Sequence, residues 1–397
     1  MARVAVLFDR FGPYHRARLQ AAGQEMDVLG IELAGKSNTY DWDQVESAAS
    51  FERTTLFPDC ASDDVSPVRM YDVVCETLTA FGPDVIAPPG WHHPGALSAL
   101  RWGLSHEVPL VVMSESSYRD HDRTWWREEI KRRVVSMYSA GLVGGSRHRN
   151  YLERLGMPTN QIHLGYDVID NAHFREGAAE ARRDSSAKRR SLGLPSHFFL
   201  ASSRFTPKKN LSRLIEAFAR YRRKAPADAR DLVLLGDGPA RSAVVQATEE
   251  NGVQDVVHLP GFKQYEDLPD YYGLAEAFVH ASIREEWGLV VNEAMAAGLP
   301  VLVSTQCGCA PDLVADGENG YTFDPYDIEE LATYMETVAH GTVAQDALGA
   351  KSAERIQNWA PEAFGHGLQQ AVKSALEAGV PSASLIDDLL IRVLIHR

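Results

Sequence analysis

The stretch "REEWGLVVNEAMAAGLPVLVS", from Arg284 to Ser304, combines an acidic loop, an apolar helix and a buried strand. The helix is predicted to begin near Gly288, and the strand "PVLVS" that follows it is apolar on both faces. Strands of this kind that alternate with helices are typical of a parallel sheet covered on both sides. The stretch therefore predicts an α/β fold for the second half of the chain.

The same alternation runs through the whole chain, which has 397 residues and is long enough for two domains. Apolar runs such as "RVAVLFD" at 3–9 and "DLVLLGDG" at 231–238 alternate with stretches of helical period. We predict an α/β protein of two Rossmann-like, doubly wound domains that face a cleft. In such folds ligands bind beside the carboxyl ends of the strands.

A polar, charged segment without apolar periodicity marks the predicted domain boundary. The resulting division has four parts: an N-terminal domain at 1–172, a linker at 173–192, a C-terminal domain at 193–365 and a helical tail at 366–397.

Composition narrows the classes of function. A net charge of −14 argues against a general nucleic-acid binder, so a polyanionic ligand would need a local cluster of cations and backbone N–H groups.

Four cysteines do not make a disulfide framework in a chain of this length and suit a reducing compartment. The first residues begin a strand rather than a signal peptide, and no uncharged run approaches the roughly 18 residues of a membrane span. We expect a cytoplasmic protein.

A phosphate-binding loop pattern, G-x-x-x-x-G-K-[ST], is met by "GIELAGKS" at 30–37. A phosphate loop follows a strand and leads into a helix, whereas the interior of this match is itself strand-like. We interpret the match as a coincidence. The nearby "DWD" at 41–43 is interpreted as a polar loop rather than as metal ligands, because no further oxygen ligands cluster beside it.

A candidate anion site follows the strand that ends at Arg204. A proline-containing turn leads there into a helix that we expect Asn210 to cap. Arg204, Lys208 and Lys209 would then lie beside a helix N-terminus, whose N–H groups and dipole favour phosphate. A solvated basic turn is the alternative interpretation.

Two glutamates flank the next helix start. Glu285 lies in the loop before Gly288 and Glu293 lies within the helix, about 12 Å further along at 1.5 Å per residue. Both carboxylates could accept from sugar hydroxyls, while the N–H groups of Leu289 and Val290 bind the diphosphate of a nucleotide sugar. The alternative is that both glutamates pair with nearby arginines or lysines.

These stretches, with "LVLLGDGP" at 232–239 and "DGENGYTFDP" at 316–325, resemble the nucleotide-sugar half of a GT-B fold glycosyltransferase of family 4. The resemblance covers about 198–332 and includes the E-x7-E signature of that family at Glu285 and Glu293. It implies a nucleotide-sugar-binding C-terminal domain and an acceptor-side N-terminal domain.

The resemblance also implies roles for single residues. Arg204 and Lys209 would bind the donor diphosphate, Glu293 the ribose and Glu285 the donor sugar. Phe262 would lie near the base. The amides that follow Gly288 would contact phosphate.

In the N-terminal half, "DRFGPYHRARL" at 9–19 follows the first strand and opens a helix. Gly12 would let the backbone approach a ligand closely, and His15 is expected to point toward the cleft. By the resemblance, this glycine loop faces the donor phosphates.

Many relatives place a histidine after a later strand, where this sequence has "SES" at 114–116. Glu115 and Arg119 are candidate substitutes for the polar group that faces the reacting sugar. His92 and His93, in "PPGWHHPG", are rival candidates.

By this resemblance we expect a retaining glycosyltransferase that moves a sugar from a nucleotide diphosphate to a hydroxyl of a saccharide or glycoconjugate, with UDP favoured over GDP. No metal or other cofactor is expected, because the cations of the protein would stabilise the leaving diphosphate. The alternatives are a nucleotide-sugar epimerase, a phosphorylase or a non-catalytic binding subunit on the same fold.

The apolar tail "SLIDDLLIRVLIHR" at 384–397 is too short to span a bilayer. It could pack on another domain, self-associate or rest on a membrane surface. Peripheral association with the inner membrane face therefore stays open.

Overall fold

The structure is a computed structural model that describes residues 1–36, 51–224, 229–340 and 342–396. The strands are β1 (Arg3–Phe8), β2 (Asp27–Lys36), β3 (Glu52–Ala61), β4 (Val85–Ala87), β5 (Val111–Ser114), β6 (Ala140–Val143), β7 (Ile162–Leu164), β8 (Phe198–Ser202), β9 (Asp231–Leu235), β10 (Val257–Gly261), β11 (Ala277–His280), β12 (Val301–Ser304) and β13 (Gly320–Phe323).

The α-helices are α1 (Pro13–Glu25), α2 (Pro67–Phe81), α3 (Pro94–Ser105), α4 (Trp125–Val135), α5 (Ser146–Arg154), α6 (Asn171–Arg183), α7 (Ser185–Leu192), α8 (Leu211–Lys224), α9 (Arg241–Glu250), α10 (Leu268–Leu274), α11 (Leu289–Ala296), α12 (Ala310–Leu313), α13 (Ile328–Ala339), α14 (Thr342–Arg355), α15 (Pro361–Ala378) and α16 (Leu385–Ile395). Short 3-10 helices lie at Ser62–Asp64, Thr159–Gln161, Pro207–Lys209, Tyr265–Asp267 and Ile356–Trp359.

The chain forms two compact units, the first from 1–169 with 359–397 and the second from 170–358. This division differs from the predicted one at the C-terminal end. The last segment returns to the first unit because α15 packs on α1, so closely that Gly365 lies against the backbone of Ala21. Residues 366–397 are thus part of the first unit.

The predicted linker at 173–192 also differs from the structure, since it consists of most of α6 and all of α7 in the second unit. Phe174, Ala178 and Ala181 are buried on one face of α6, which packs on α10. Their spacing of four and three residues is helical, but the many charged residues on the other face obscure it.

In the first unit, the strands β3-β2-β1-β4 form a parallel sheet in that order. Parallel bridges between Ile86 and Leu110 and between Pro89 and Met113 continue the sheet into β5-β6-β7. The central strand β1 is buried from Val4 to Phe8. The sequence analysis did not predict β3, because that strand is mostly half-buried or exposed and lacks an apolar run.

In the second unit, all strands are parallel in the order β10-β9-β8-β11-β12-β13. Chain order reverses between β8 and β11, and doubly wound sheets bind ligands beside the carboxyl ends of the strands at such a point. In the first unit the same reversal lies between β1 and β4. The predicted α/β class with two Rossmann-like sheets is confirmed, and the reversal point of each sheet is where a ligand is expected.

None of the helices in the described ranges is both long and apolar enough to cross a membrane.

Candidate functional site

The loops after β8 and β11 are tied together at the reversal point of the second sheet. The backbone N–H of Ile283 donates to the Lys208 carbonyl at 2.9 Å. The side-chain amide of Asn210 is buried and donates to the Ala281 carbonyl at 3.2 Å and to the Pro325 carbonyl at 2.9 Å. These contacts fix the two loops relative to each other.

Asn210 lies in the predicted capping position directly before α8, but its side chain does not bond to a backbone N–H of the helix among the described residues. Its φ of 58° is left-handed, and its carbonyl, not its side chain, accepts from Leu214 N–H at 3.1 Å. The amide group is instead used to join the two loops, and the side-chain oxygen accepts from Arg213 at 3.1 Å.

One oxygen of Glu285 is the polar centre of the site. Its Oε2 accepts hydrogen bonds from Lys209 Nζ, from His280 Nε2 at 3.1 Å and from Ser282 Oγ at 3.1 Å. The side chains of Lys209 and Glu285 are only 13% and 11% exposed. Burial alone would raise the pKa of Glu285, but the His280 hydrogen bond and the Lys209 ammonium hold it below its ordinary value. The carboxylate is therefore ionised at neutral pH.

His280 holds this carboxylate from the end of β11. It is buried, and burial lowers the pKa of His280, so the imidazole is neutral at pH 7. Because a carboxylate only accepts, the ring proton is assigned to Nε2. His280 and Ser282 are not among the predicted site residues, although a histidine that ends the apolar strand "AFVH" was an available signal.

Glu293 lies in α11 and is buried. It accepts a hydrogen bond of 2.5 Å from the phenol of Tyr272, which is also buried. Burial raises the pKa of Tyr272 well above its ordinary value, and the Glu293 charge adds to this, so Tyr272 remains a donor. The alternative of an ion pair thus holds for Glu285. The phenol that donates to Glu293 lies 21 residues earlier and carried no sequence signal.

The helix α11 begins next to the Glu285 carboxylate. Gly288, its N-cap, has a φ of 103°, a conformation that favours glycine, and a Cβ there would come within 3.4 Å of Glu285 Cγ. The Trp287 indole donates to Asn292 Oδ1 at 3.0 Å, which ties the loop to the helix. Leu289 and Val290 form the first turn, whose N–H groups have no partner within the helix.

Arg204 follows β8 and is exposed. Among the described residues, none forms a hydrogen bond or an ion pair with its guanidinium. Lys208 pairs with Glu286 at 3.1 Å. Phe262 is exposed and follows β10. Arg204, Lys208 and Phe262 therefore all follow strands of the second sheet.

In the first unit, the loop after β1 holds Gly12 and His15. His15 Nδ1 accepts from Gly12 N–H at 3.0 Å, and its ring centroid lies 4.4 Å from that of Phe8. Burial, together with Arg18, lowers the pKa of His15 to about 3. Gly12 has a φ of −116°, which other residues adopt, so the backbone conformation does not itself require glycine here.

The loop after β4 carries His92 and His93. His93 Nδ1 accepts from Gly95 N–H at 3.1 Å and so caps α3, while its Nε2 lies 3.8 Å from Asp9 in the loop after β1. Burial lowers the pKa of His93. His93 therefore has a structural role, whereas His92 is exposed.

Glu115 follows β5 and is half-buried, while Arg119 is exposed. Burial and the Glu115 charge raise the pKa of the buried Asp167, against the opposing effect of Arg18, which lies 3.6 Å from it. Glu115 is therefore close enough to a buried acid to influence its ionisation.

The remaining motif matches can be located in part. Residues 30–36 of the phosphate-loop match lie within β2, where Gly30 pairs with Val6 and Arg53 of the neighbouring strands, which agrees with the strand interpretation. Ser37 and the "DWD" at 41–43 lie outside the described residues. Within the described ranges, no group of three or more His, Cys, Asp or Glu side chains is placed to hold a metal ion.

Comparison with protein families and curated proteins points to one group of enzymes. Residues 184–358 match the family model described as glycosyl transferases group 1. The chain is 29% identical to alpha-D-kanosaminyltransferase of Streptomyces kanamyceticus over 62% of this chain and 65% of that protein. It is 28% identical to D-inositol 3-phosphate glycosyltransferase of Salinispora arenicola over 73% of this chain and 68% of that protein. Other curated relatives, such as mannosylfructose-phosphate synthase of Agrobacterium fabrum, are matched over about half their length, 47% in this case.

Solved structures show the same architecture over nearly the whole chain. Sucrose-phosphate synthase from Thermosynechococcus elongatus superposes with a TM-score of 0.72 at 20% identity, covering 93% of this chain and 98% of that one. HepE of Anabaena, solved in complex with UDP and glucose, superposes with a TM-score of 0.71 at 19% identity, covering 94% and 100%. At these identities the likeness shows the fold.

Proposed function

We propose that this chain, whose residues 184–358 match the glycosyl transferases group 1 and which has the GT-B fold, transfers a sugar from a nucleotide diphosphate to a hydroxyl of a saccharide or glycoconjugate. The observation that carries the proposal is the placement of Lys209, Glu285 and the α11 N-terminus together at the reversal point of the second sheet. This edge is where doubly wound sheets bind nucleotides.

The chemistry of this edge suits a diphosphate that leaves. Negative charge develops on the diphosphate as the glycosidic bond breaks, and preorganised cations and N–H groups stabilise such charge most effectively. Lys209 is held in place by Glu285, while Arg204 is exposed and has no described partner to give up. We assign the α- and β-phosphate contacts to these two cations and to the first turn of α11.

We propose that Glu285 binds the donor sugar and that Glu293 binds the ribose. An ionised carboxylate accepts strongly from hydroxyl groups, and the contacts of His280 and Ser282 keep Glu285 ionised and oriented. Glu293 is buried, so a ribose hydroxyl would have to reach an oxygen beside the Tyr272 contact.

We further propose a UDP-linked donor, retention of configuration and no requirement for a metal, with Phe262 near the base. UDP is the first nucleotide to test because HepE, a protein of the same fold, was solved with UDP. Charge stabilisation by Arg204 and Lys209 is the reason to expect turnover without a divalent ion.

In the first unit, we propose that His15 and Glu115 contact the acceptor or the reacting sugar, since both follow strands at or next to the reversal of that sheet. Arg119 and His92 are exposed and remain secondary candidates. His93 is the weakest candidate, because both of its ring nitrogens already face protein groups.

A thermal-shift screen tests the proposal directly. UDP, GDP and their sugar conjugates are added to the full chain, and a ligand that binds only the native state raises the melting temperature. We expect at least one nucleotide sugar to raise it by more than its free nucleotide, in buffer that contains a chelator. Failure of every sugar nucleotide to shift the melting temperature, confirmed by calorimetry, would overturn the proposal.

Product analysis separates the alternative functions. A glycosyltransferase consumes the donor and releases nucleoside diphosphate only with an acceptor, apart from slow hydrolysis. Conversion of the donor sugar without any acceptor would indicate an epimerase, and a reaction driven by inorganic phosphate would indicate a phosphorylase. Binding without turnover under all of these conditions would indicate a binding subunit.

A further inference from the structure

The last helix, α16, turns its acidic residues toward the body of the first unit. Asp387 pairs with Arg133 of α4, and Asp388 pairs with Arg101 of α3 at 3.1 Å. Ile391 is buried on the same side. The helix is thus fixed in one orientation by ion pairs as well as by apolar packing.

The opposite face of α16 is apolar and open to solvent. Leu385 is 91% exposed, Ile386 62%, Leu389 60% and Val393 60%. Leu385, Leu389 and Val393 are spaced by four residues and form one stripe along the helix. A helix on the surface of a protein in water normally shows the reverse arrangement, with its charges outward.

The start of α16 is well formed, so this face is not a frayed end. Ser384 accepts from Asp387 N–H, and the Asp387 carboxylate accepts from Ser384 N–H at 2.8 Å, which completes a capping box.

The neighbouring helix α4 extends this apolar surface. It contacts α16 and begins with Trp125, which is 82% exposed, and Trp126, which is also exposed. The guanidinium of Arg127 lies over the Trp126 ring, 5.1 Å from its centroid. Tryptophan with adjacent arginine is typical of the boundary between water and lipid.

Arginines outnumber carboxylates among the exposed charged residues of this surface, although three of the four arginines are ion-paired: Arg132 with Glu129, Arg133 with Asp387 and Arg392 with Asp388. Among the exposed residues of α4 and α16, the charged ones are four arginines and one glutamate, namely Arg127, Arg132, Arg133, Arg392 and Glu129. The chain as a whole has a net charge of −14. A local excess of arginine beside apolar side chains is complementary to anionic lipid headgroups.

A second copy of the chain fits this surface less well. An isologous contact would place this same patch of both copies face to face. A two-fold contact would also bring the same arginines of both copies together, and like charges repel.

We infer that α16, with the start of α4, docks the first unit on the surface of an anionic lipid bilayer. Leu385, Ile386, Leu389 and Val393 enter the acyl boundary, with α16 parallel to the membrane plane, and Arg127, which forms no ion pair with a described residue, contacts the headgroups. This inference does not depend on the proposed sugar transfer.

Vesicle co-sedimentation of the full chain tests the inference. The probes are vesicles of phosphatidylcholine alone and vesicles of equal parts phosphatidylcholine and phosphatidylglycerol. We expect binding to the anionic vesicles, weaker binding to the neutral ones, and a decrease as salt is added. Absence of binding by the unaltered chain to anionic vesicles would overturn the inference.

Matched variants locate the contact. The variant L385S/I386S/L389S/V393S should lose at least about tenfold in vesicle affinity, since it removes four apolar side chains. The control V68S/L376S replaces exposed apolar residues on α2 and α15 of the same unit and should bind as the unaltered chain does. Equal binding by the α16 variant, with its melting temperature unchanged, would overturn the inference.

Two further measurements keep the test decisive. Trp125 fluorescence, taken as the difference between the unaltered chain and W125F, should shift to shorter wavelength with anionic vesicles, and no shift would count against the inference. Analytical ultracentrifugation should show the unaltered chain without α16-dependent self-association. A dimer that the α16 variant abolishes would assign this face to a second copy instead.

Discussion

The Lys209 ammonium and the Glu285 carboxylate form an ion pair across the two loops that flank the strand-order reversal of the second sheet. The proposed phosphate-binding cation and the proposed sugar-binding carboxylate are therefore not independent. Removing either partner leaves the other charge buried without its partner, which typically costs about 3–5 kcal/mol of stability. Variants of this pair have to be examined for folding as well as for activity.

Arg204 and Lys209 should differ in what their removal does. R204A should reduce transfer by two or more orders of magnitude, equivalent to about 3–4 kcal/mol of lost charge stabilisation, with an unchanged melting temperature because Arg204 has no partner among the described residues. K209A should lose comparable activity and should also melt at a lower temperature. Initial rates and thermal melts of both variants provide the measurement.

R223A is the matched control, since Arg223 is an exposed arginine on α8 in the same unit. It should leave both quantities unchanged. Normal rates in R204A and K209A would remove the two cations from the proposed mechanism.

Glu293 should contribute mainly to binding the nucleotide, and Glu285 mainly to transfer of the sugar. E293Q should weaken binding of UDP itself, whereas E285Q should impair sugar transfer more than UDP binding. Y272F removes the hydrogen bond from Tyr272 to Glu293 and should weaken UDP binding, with a loss of stability of about 1.5–3 kcal/mol, as for a hydrogen bond to a charged group. Calorimetric titration with UDP and with the intact donor distinguishes these effects. If E285Q lost UDP binding while E293Q kept it, the two assignments would have to be exchanged.

The sequence predicts the fold better than it predicts the contacts within the site. Strands such as β1 and β12 are apolar on both faces, so their pattern alone indicates a buried parallel sheet. Loops that follow adjacent parallel strands must meet at one edge, which is why the proximity of Lys209 and Glu285 was predictable. Their direct pairing was not, because it depends on side-chain geometry.

Other features required the structure for equally physical reasons. Tyr272 lies in α10 and donates to Glu293 in α11, and no sequence pattern indicates that these two helices contact each other. The return of α15 to the first unit depends on packing against α1 over more than 300 residues of chain, as the hydrogen bond between Gln369 and Glu25 shows, with a separation of 344 residues. A local sequence pattern contains neither relationship.

The His15 contact predicts a dependence of stability on pH. The pKa of His15 is lowered from its ordinary value of 6.5 to about 3, so the folded state binds this proton less readily than the unfolded state. Its contribution is fully present above pH 6.5 and is lost as the pH falls from 6.5 toward 3. Protonation of Nδ1 would also place an N–H against the Gly12 N–H.

In H15N the side-chain oxygen can accept from Gly12 N–H at any pH. The free energy of unfolding of H15N should therefore fall less between pH 7 and pH 4 than that of the unaltered chain, by chemical denaturation at each pH. H121N, which replaces an exposed histidine of the same unit, serves as the control and should follow the unaltered chain. Parallel curves for H15N and the unaltered chain would remove His15 from this effect.

Lys36 tests whether the phosphate-loop pattern has any function. Lys36 is the last residue of β2, is exposed, and pairs with Ala61 of β3 rather than opening a helix. A phosphate loop needs backbone N–H groups free to surround phosphate, but residues 30–36 belong to a strand. K36A should therefore leave the affinity for UDP and for ATP unchanged by calorimetry, with K209A as the variant that loses UDP affinity. A large loss of nucleotide affinity in K36A would move the nucleotide to the first unit and contradict the donor site proposed in the second.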